Sequence, residues 1–224
     1  MSPPLQIYLV RHGQTAWSLT GQHTGLTDLP LTATGDAMAR ELAPLLGTIR
    51  FSRVLSSPRL RARTTCEAAG LGERAETVAD LAEWDYGEFE GLRSTEIRQR
   101  HPGWDLWRDG CPGGESPAQI GERADRLIAQ LRAMSGPVAL FSHGQFGRSL
   151  AMRWIGLPVA QAQHFMLDPA SISVLADDGA HPPQAVIALW NAGRTGIEFI
   201  PDVAADVIPA EGATATPRSR TAGP

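Results

Sequence analysis

The sequence predicts an α/β protein: a three-layer α/β/α sandwich around a mostly parallel central sheet. Three observations point there. Short apolar runs alternate with helical stretches along the chain, the order produced when helices cross between parallel strands. Two of the runs, LQIYLV at 5–10 and PVALF at 137–141, are almost continuously apolar, as strands covered by helices on both faces are. The length of 224 residues, with 42% apolar and 20% charged content, suits one sizeable soluble domain better than two.

The first strand is expected at 5–10 and the first helix at 33–46 (ATGDAMARELAPLL). A second strand at 52–56 leads into a helix over 58–70, for which Ser57 is a natural cap and Pro58 a natural first residue. A third strand at 76–80 is followed by a short helix at 94–100. A long helix over 117–134 starts after CPGGESP, where the glycines supply a turn, Ser116 a cap and Pro117 the first helical position. The fourth strand, 137–141, feeds a helix at 145–155. Strands at 171–176 and 184–190 close the domain. The segment DDGAHPP between them is too short for a crossover helix, so they pair antiparallel. Residues 1–200 form the predicted domain. Residues 201–224, small, polar and proline-rich without apolar periodicity, read as a disordered tail.

The net charge of −4 argues against a general partner in nucleic acid or an anionic membrane. All 20 basic residues are arginine, a compositional bias that accompanies abundant Ala, Gly and Pro. Cys66 and Cys111 have no metal or redox spacing and read as reduced thiols. The N-terminus lacks a basic region before its apolar run, and no stretch reaches membrane-spanning length. A cytoplasmic location is the expectation. The six histidines have no close ligand pairing, which counts against a metal site.

Parallel strands bring their carboxyl ends to one edge, where open α/β sheets place their reactive groups. Four strands here run into polar residues at that end. The first delivers Arg11-His12-Gly13, the second SSPRLRAR, the third LAEWDYGE and the fourth Ser142-His143-Gly144. One histidine at a strand end is most simply a hydrogen-bonded structural residue. Arg11 beside His12 changes that, because no acidic residue lies within ten positions to pair with the guanidinium. The second strand-His-Gly repeats the pattern. Gly13 and Gly144 are expected to let the chain turn sharply and a ligand approach. Arg61, in the first turn of its helix, can grip phosphate bidentately where the helix dipole already favours an anion. Arg59 and Arg63 read as solvated. Trp84 and Tyr86 could desolvate Glu83 and raise it toward a useful acid. The CPGGESP stretch has the structural explanation of its turn and cap, with a functional use of Glu115 as the secondary reading. Trp84, Trp104 and Trp107 read first as packing residues, and otherwise as a rim to the site.

With these residues in hand, the sequence resembles the histidine phosphatase superfamily, or phosphoglycerate mutase-like family, over nearly the whole chain to about residue 200. The marks fall in order: LVRHGQTAW, TGLTDLPLTATG, SSPRLRARTT, LAEWDYGEFEGL, GGES and FSHG. The resemblance is greatest to a branch of small phosphatases. It implies that His12 is the nucleophile that becomes phosphohistidine, that Arg11, Arg61 and His143 bind the phosphoryl group, and that Glu83 donates the proton. Gln14, Thr24 and Gly25 would line the pocket. Ser18 departs from the pattern, since many members have asparagine there.

The chemistry is coherent on its own terms. Neutral imidazole is a good nucleophile near pH 7 and divides hydrolysis into two displacements. Positive neighbours keep it unprotonated, and cations offset charge on the transferring phosphoryl group. No metal or other cofactor is implied, and the partner is a small phosphorylated metabolite. A phosphomonoesterase is favoured over a phosphomutase using the same intermediate, and both over a phospho-ligand binder with a decayed site, because nucleophile and acid both stand in place.

Overall fold

Alternate residues of the first apolar run face opposite sides of the sheet, and both sides are buried. The computed structural model describes residues 3–180 and 182–193, and the expected tail lies outside them. In chain order the elements are β1 (Gln6–Arg11), α1 (Ala16–Thr20), α2 (Ala33–Arg40), α3 (Ala43–Leu46), β2 (Arg53–Ser56), α4 (Leu60–Ala68) and β3 (Ala75–Thr77). They continue with α5 (Ser94–Arg100), α6 (Leu106–Asp109), α7 (Pro117–Leu131), β4 (Pro137–Ser142), α8 (Gly144–Trp154), β5 (Ile172–Asp177) and β6 (Ala185–Ala192). Ile7 and Leu9 of β1 join Val138 and Leu140 of β4 in a core shared with α7 and α8. Tyr8 and Val10 join Ala139 and Phe141 in a second core with Leu42, Leu46 and Cys66 on the opposite face. That is the predicted three-layer sandwich.

The sheet order is β3-β2-β4-β1-β5-β6. Strands β3, β2, β4 and β1 are mutually parallel, β5 is antiparallel to β1, and β5 and β6 pair antiparallel as their short connection required. Arg11 pairs with Ser142, and Ser56 with Phe141. The carboxyl ends of the three central strands therefore finish level at one edge.

Several boundaries differ from expectation for identifiable reasons. The helix over 33–46 breaks into α2 and α3, with Pro44 in the first turn of the second piece. Proline has no N–H to donate and clashes with the carbonyl four residues back. The third strand shortens to Ala75–Thr77 and gives way to a 3-10 turn at Ala79–Leu81. Ser57 does not cap α4: its N-cap is Arg59, and the free Leu60 N–H is taken at 2.6 Å by the Asp28 carboxylate from a distant loop. Helix α1 was not expected. Thr15 and Ser18 form a reciprocal capping box at its start, and Gly21, with φ of 78°, ends it.

Candidate active site

The end of β1 puts Arg11 and His12 against the ends of β4 and the loop before β5. The His12 N–H extends the ladder to the Ser142 carbonyl at 3.0 Å. Its Nδ1 lies 2.7 Å from the Gly13 carbonyl. A carbonyl only accepts, so the proton sits on Nδ1 and the lone pair on Nε2. Burial, then the charges of Arg11 and Arg61, hold the imidazole well below its ordinary value of 6.5. Gly13 earns its place differently from the expectation: its φ is not left-handed, and a Cβ there would sit 2.4 Å from the Gly35 carbonyl in the first turn of α2. Its N–H donates to the Thr65 hydroxyl at 3.0 Å. Gly144 likewise has no left-handed φ, and a Cβ there would meet the Arg11 guanidinium at 3.3 Å.

His143 precedes α8 and is fully buried. Its Nε2 lies 2.7 Å from the Ser57 hydroxyl, and its Nδ1 has no hydrogen-bond partner. Burial, Arg61 and His12 depress its pKa well below 6.5 as well. Arg61 is fully buried in α4. Its Nη atoms donate to the carbonyls of Thr24 (2.8 Å), Gly25 (3.2 Å) and Thr27 (3.1 Å). The expected free bidentate fork is thus engaged by the loop over 24–27, and Nε is the unpartnered atom. Arg11 donates from Nη1 to the Leu167 carbonyl, and its Nε is unpartnered too. Arg63 is exposed, while the half-buried Arg59 has an unpartnered Nε rather than full solvation.

Glu83 reaches the same edge from the loop after β3 and is 8% exposed. The expected apolar surroundings describe only part of its setting. Oε1 accepts from the main chain of Trp84 (2.9 Å) and Phe146 (2.8 Å), and Oε2 from Gln145 (3.0 Å). The carboxyl group is therefore oriented by free N–H groups in the first turn of α8. Trp84 faces the core instead, its indole donating to the Glu115 carbonyl at 2.9 Å. Trp104 and Trp107 are buried packing residues as well.

Arg11, His12, Glu83 and Thr24 line a cleft of about 270 Å³, whereas His143, Arg61, Gln14 and Gly25 do not. The Gln14 side chain accepts from Thr32 at 2.9 Å, and the Gly25 N–H donates to the Glu90 carboxylate at 2.9 and 3.0 Å. Ser18 lines the cleft, but its hydroxyl is engaged in the cap of α1.

Sequence reasoning missed the rest of the wall. His23, Ser94, Gln145, Arg148, Met166 and Leu167 all contribute. His23 is bonded to Ser94 at 3.1 Å and stacks on Tyr86, with centroids 4.5 Å apart. Arg148 lies over Trp107 at 4.6 Å and donates to Gln145 at 2.8 Å, and burial lowers its pKa to about 10, so it stays a cation. A signal existed for this pair: positions 145 and 148 share a helix face immediately after the second His-Gly. For His23 and Ser94, far apart in sequence, there was none.

Residues 7–192 match the family model described as the histidine phosphatase superfamily, branch 1. This chain belongs to the histidine phosphatase superfamily. A protein named acid phosphatase from Mycobacterium tuberculosis is 43% identical over 188 residues, covering 82% of this chain and 92% of that one. A sedoheptulose 1,7-bisphosphatase from Saccharomyces cerevisiae is 34% identical over 203 residues, covering 76% and 74%. The solved structure of a Mycobacterium tuberculosis open reading frame superposes with a TM-score of 0.79 at 39% identity, covering 84% of this chain and 98% of the other. The histidine phosphatase resemblance of the six sequence marks is therefore correct, and the fold it implied is the fold observed.

Proposed function

We propose that this histidine phosphatase hydrolyses small phosphomonoesters through a phosphohistidine on His12. The observation that carries the reading is one convergence at the sheet edge. Arg11, with an unpartnered Nε, ends β1 and His12, with its free lone pair, follows it; His143, with an unpartnered Nδ1, follows β4; Arg61, with an unpartnered Nε, stands in the helix after β2, and Glu83 in the loop beyond β3. Buried guanidinium N–H groups without partners are costly and mark a place built for an acceptor. A phosphoryl group supplies several acceptor oxygens at once.

In the first step His12 Nε2 bonds to phosphorus as the ester P–O bond breaks, and protonated Glu83 gives its proton to the leaving alcohol oxygen. Oε2 has a single N–H contact, which leaves it capacity to carry that proton. In the second step Glu83 removes a proton from water, the water oxygen bonds to phosphorus, and the P–N bond breaks to return His12 and inorganic phosphate. The Arg11 and Arg61 cations offset charge on the non-bridging oxygens, and neutral His143 contributes a hydrogen bond to them. Thr24 would border the bound group, with Gln14 and Gly25 supporting the loops behind it. Among the described residues no cluster of three or more His, Cys, Asp or Glu is placed to hold a metal ion, and the proposed steps use none.

The names of the relatives, acid phosphatase and sedoheptulose 1,7-bisphosphatase, support a phosphatase over a mutase. Among the described residues no helix is long and apolar enough to cross a membrane. Two buried free cysteines support a reducing, cytoplasmic setting. The reading is tested by phosphate release from an aryl phosphate and from a panel of phosphorylated metabolites. No release from any of them, by protein that binds phosphate, would replace it with a binding role.

A further inference from the structure

We infer that Glu115 and Arg123 form the mount that holds the Glu83 carboxyl group in its working orientation, making Arg123 a positioning residue for proton transfer. This rests on the reading of Glu83 as the proton donor.

The turn before α7 has a local explanation that covers Ser116 but not its neighbour. Ser116 and Gln119 form a capping box, with Ser116 accepting at 3.3 Å and Gln119 at 2.9 Å. Glu115 points elsewhere. Its two oxygens take a two-point contact from Arg123 at 2.8 and 2.7 Å, and Oε2 also accepts the Asp85 N–H at 2.9 Å. Arg123, 8% exposed on α7, donates its remaining N–H groups to the carbonyls of Asp80 (2.9 Å), Ala82 (2.6 Å) and Glu83 (3.2 Å). One ion pair thus fixes the main chain on both sides of Glu83. The same guanidinium lies over the Phe146 ring at 4.4 Å, and the Phe146 N–H, together with that of Trp84, orients Glu83 Oε1.

The chemistry fits positioning better than stability. A buried ion pair is a poor way to gain stability, since apolar side chains of similar volume commonly do as well. The rigid fork of an arginine, however, matches a set of fixed acceptors that lysine cannot match. Most of the segment over 80–85 lies outside regular structure, so no ladder sets the direction of Glu83. Proton transfer is sensitive to displacements well under the length of a hydrogen bond.

The test compares kcat/KM for an alkyl phosphate, whose leaving group needs a proton, with that for an activated aryl phosphate. Arg123→Lys and Glu115→Gln are made in the wild-type chain and in Glu83→Gln, with thermal unfolding followed for each. The alkyl ester should lose about 10- to 100-fold in either single variant, the aryl ester far less. Added to Glu83→Gln, the same changes should cost the alkyl ester nothing further, because residues that act through one another are not additive. Equal losses on both esters, or full multiplicative loss on the Glu83→Gln background, would overturn the mount in favour of a scaffold role. So would failure of both variants to fold. If Glu83→Gln itself lacks leaving-group dependence, the acid assignment fails and the mount with it. If Glu83→Gln shows that dependence and neither Arg123→Lys nor Glu115→Gln does, the mount alone fails.

Discussion

The rings of His12 and His143 meet edge to face, with centroids 5.2 Å apart and planes at 61°. Two imidazoles this close, buried between two arginines, cannot both be imidazolium cations at moderate pH. Burial depresses each well below 6.5, with the Arg11 and Arg61 charges pushing the same way. The form with a free lone pair therefore persists into acid. Once corrected for ionisation of the substrate, kcat/KM should show no loss from protonation of His12 between pH 7 and about pH 5, because it reports the free enzyme. An enzyme-linked acid limb near pH 6.5 would show that His12 is an ordinary histidine.

His12→Ala should abolish turnover of every ester while leaving the chain folded. Wild-type protein quenched in mid-reaction should carry acid-labile, base-stable phosphate, and the variant none. Near-normal activity in the variant would end the phosphohistidine mechanism. Chelators should leave the rate unchanged. Loss of activity in EDTA, restored by a divalent ion, would indicate a metallohydrolase instead.

Glu83→Gln should slow alkyl phosphates about 10²-fold or more beyond its effect on activated aryl phosphates, the usual scale of general-acid catalysis. The comparison belongs on kcat/KM, which isolates transfer to His12 from the later attack of water. Equal losses on both esters would assign Glu83 to binding or structure.

Stability should fall in acid through His23. Burial lowers its folded pKa to about 4, against an ordinary 6.5. Between these values the unfolded chain binds the proton and the fold does not, so stability is full above 6.5 and declines as pH falls through that window. At about pH 5 the loss is on the order of 2 kcal/mol. His23→Phe keeps a ring against Tyr86 and removes the titrating group. Its unfolding free energy in urea should vary less between pH 7 and about pH 5 than that of the wild type. Identical slopes would mean that His23 is protonated in the fold.

Phosphoglycerate mutase turnover should be negligible even when bisphosphoglycerate is supplied. A mutase must keep water from its phosphoenzyme, which calls for a lid. Only 33 positions separate Glu83 from Ser116, and that stretch is already occupied by α5, α6 and the buried Trp104 and Trp107. Phosphate release and mutase turnover measured on one preparation decide the matter. Mutase turnover well above phosphate release would overturn the phosphatase reading.

Local chemistry alone was enough for the strands, most helices and the placing of both His-Gly pairs at strand ends. Continuous apolar runs announced strands buried on both faces. The reciprocal Thr15–Ser18 cap of α1 is equally local. What sequence could not supply were relations between distant segments. Asp28, rather than Ser57, satisfies the start of α4 because a loop 32 residues earlier folds across it. The Ser57 hydroxyl instead accepts the Arg59 N–H at 3.2 Å and meets His143 at 2.7 Å.

Sequence by itself determined the sheet-edge chemistry: which strands end in His12, His143 and Arg11, and that Glu83 follows a third. Periodicity and residue type are written along the chain, and parallel strands must align their ends. Tertiary structure alone decided how each group is held. Arg61 is turned onto the carbonyls of Thr24, Gly25 and Thr27, Glu83 onto the first turn of α8, and Arg123 onto the loop that carries Glu83. The physical reason is that hydrogen bonds at 3 Å range are made between whichever groups the packed layers bring together, and these partners lie tens of residues apart in the chain.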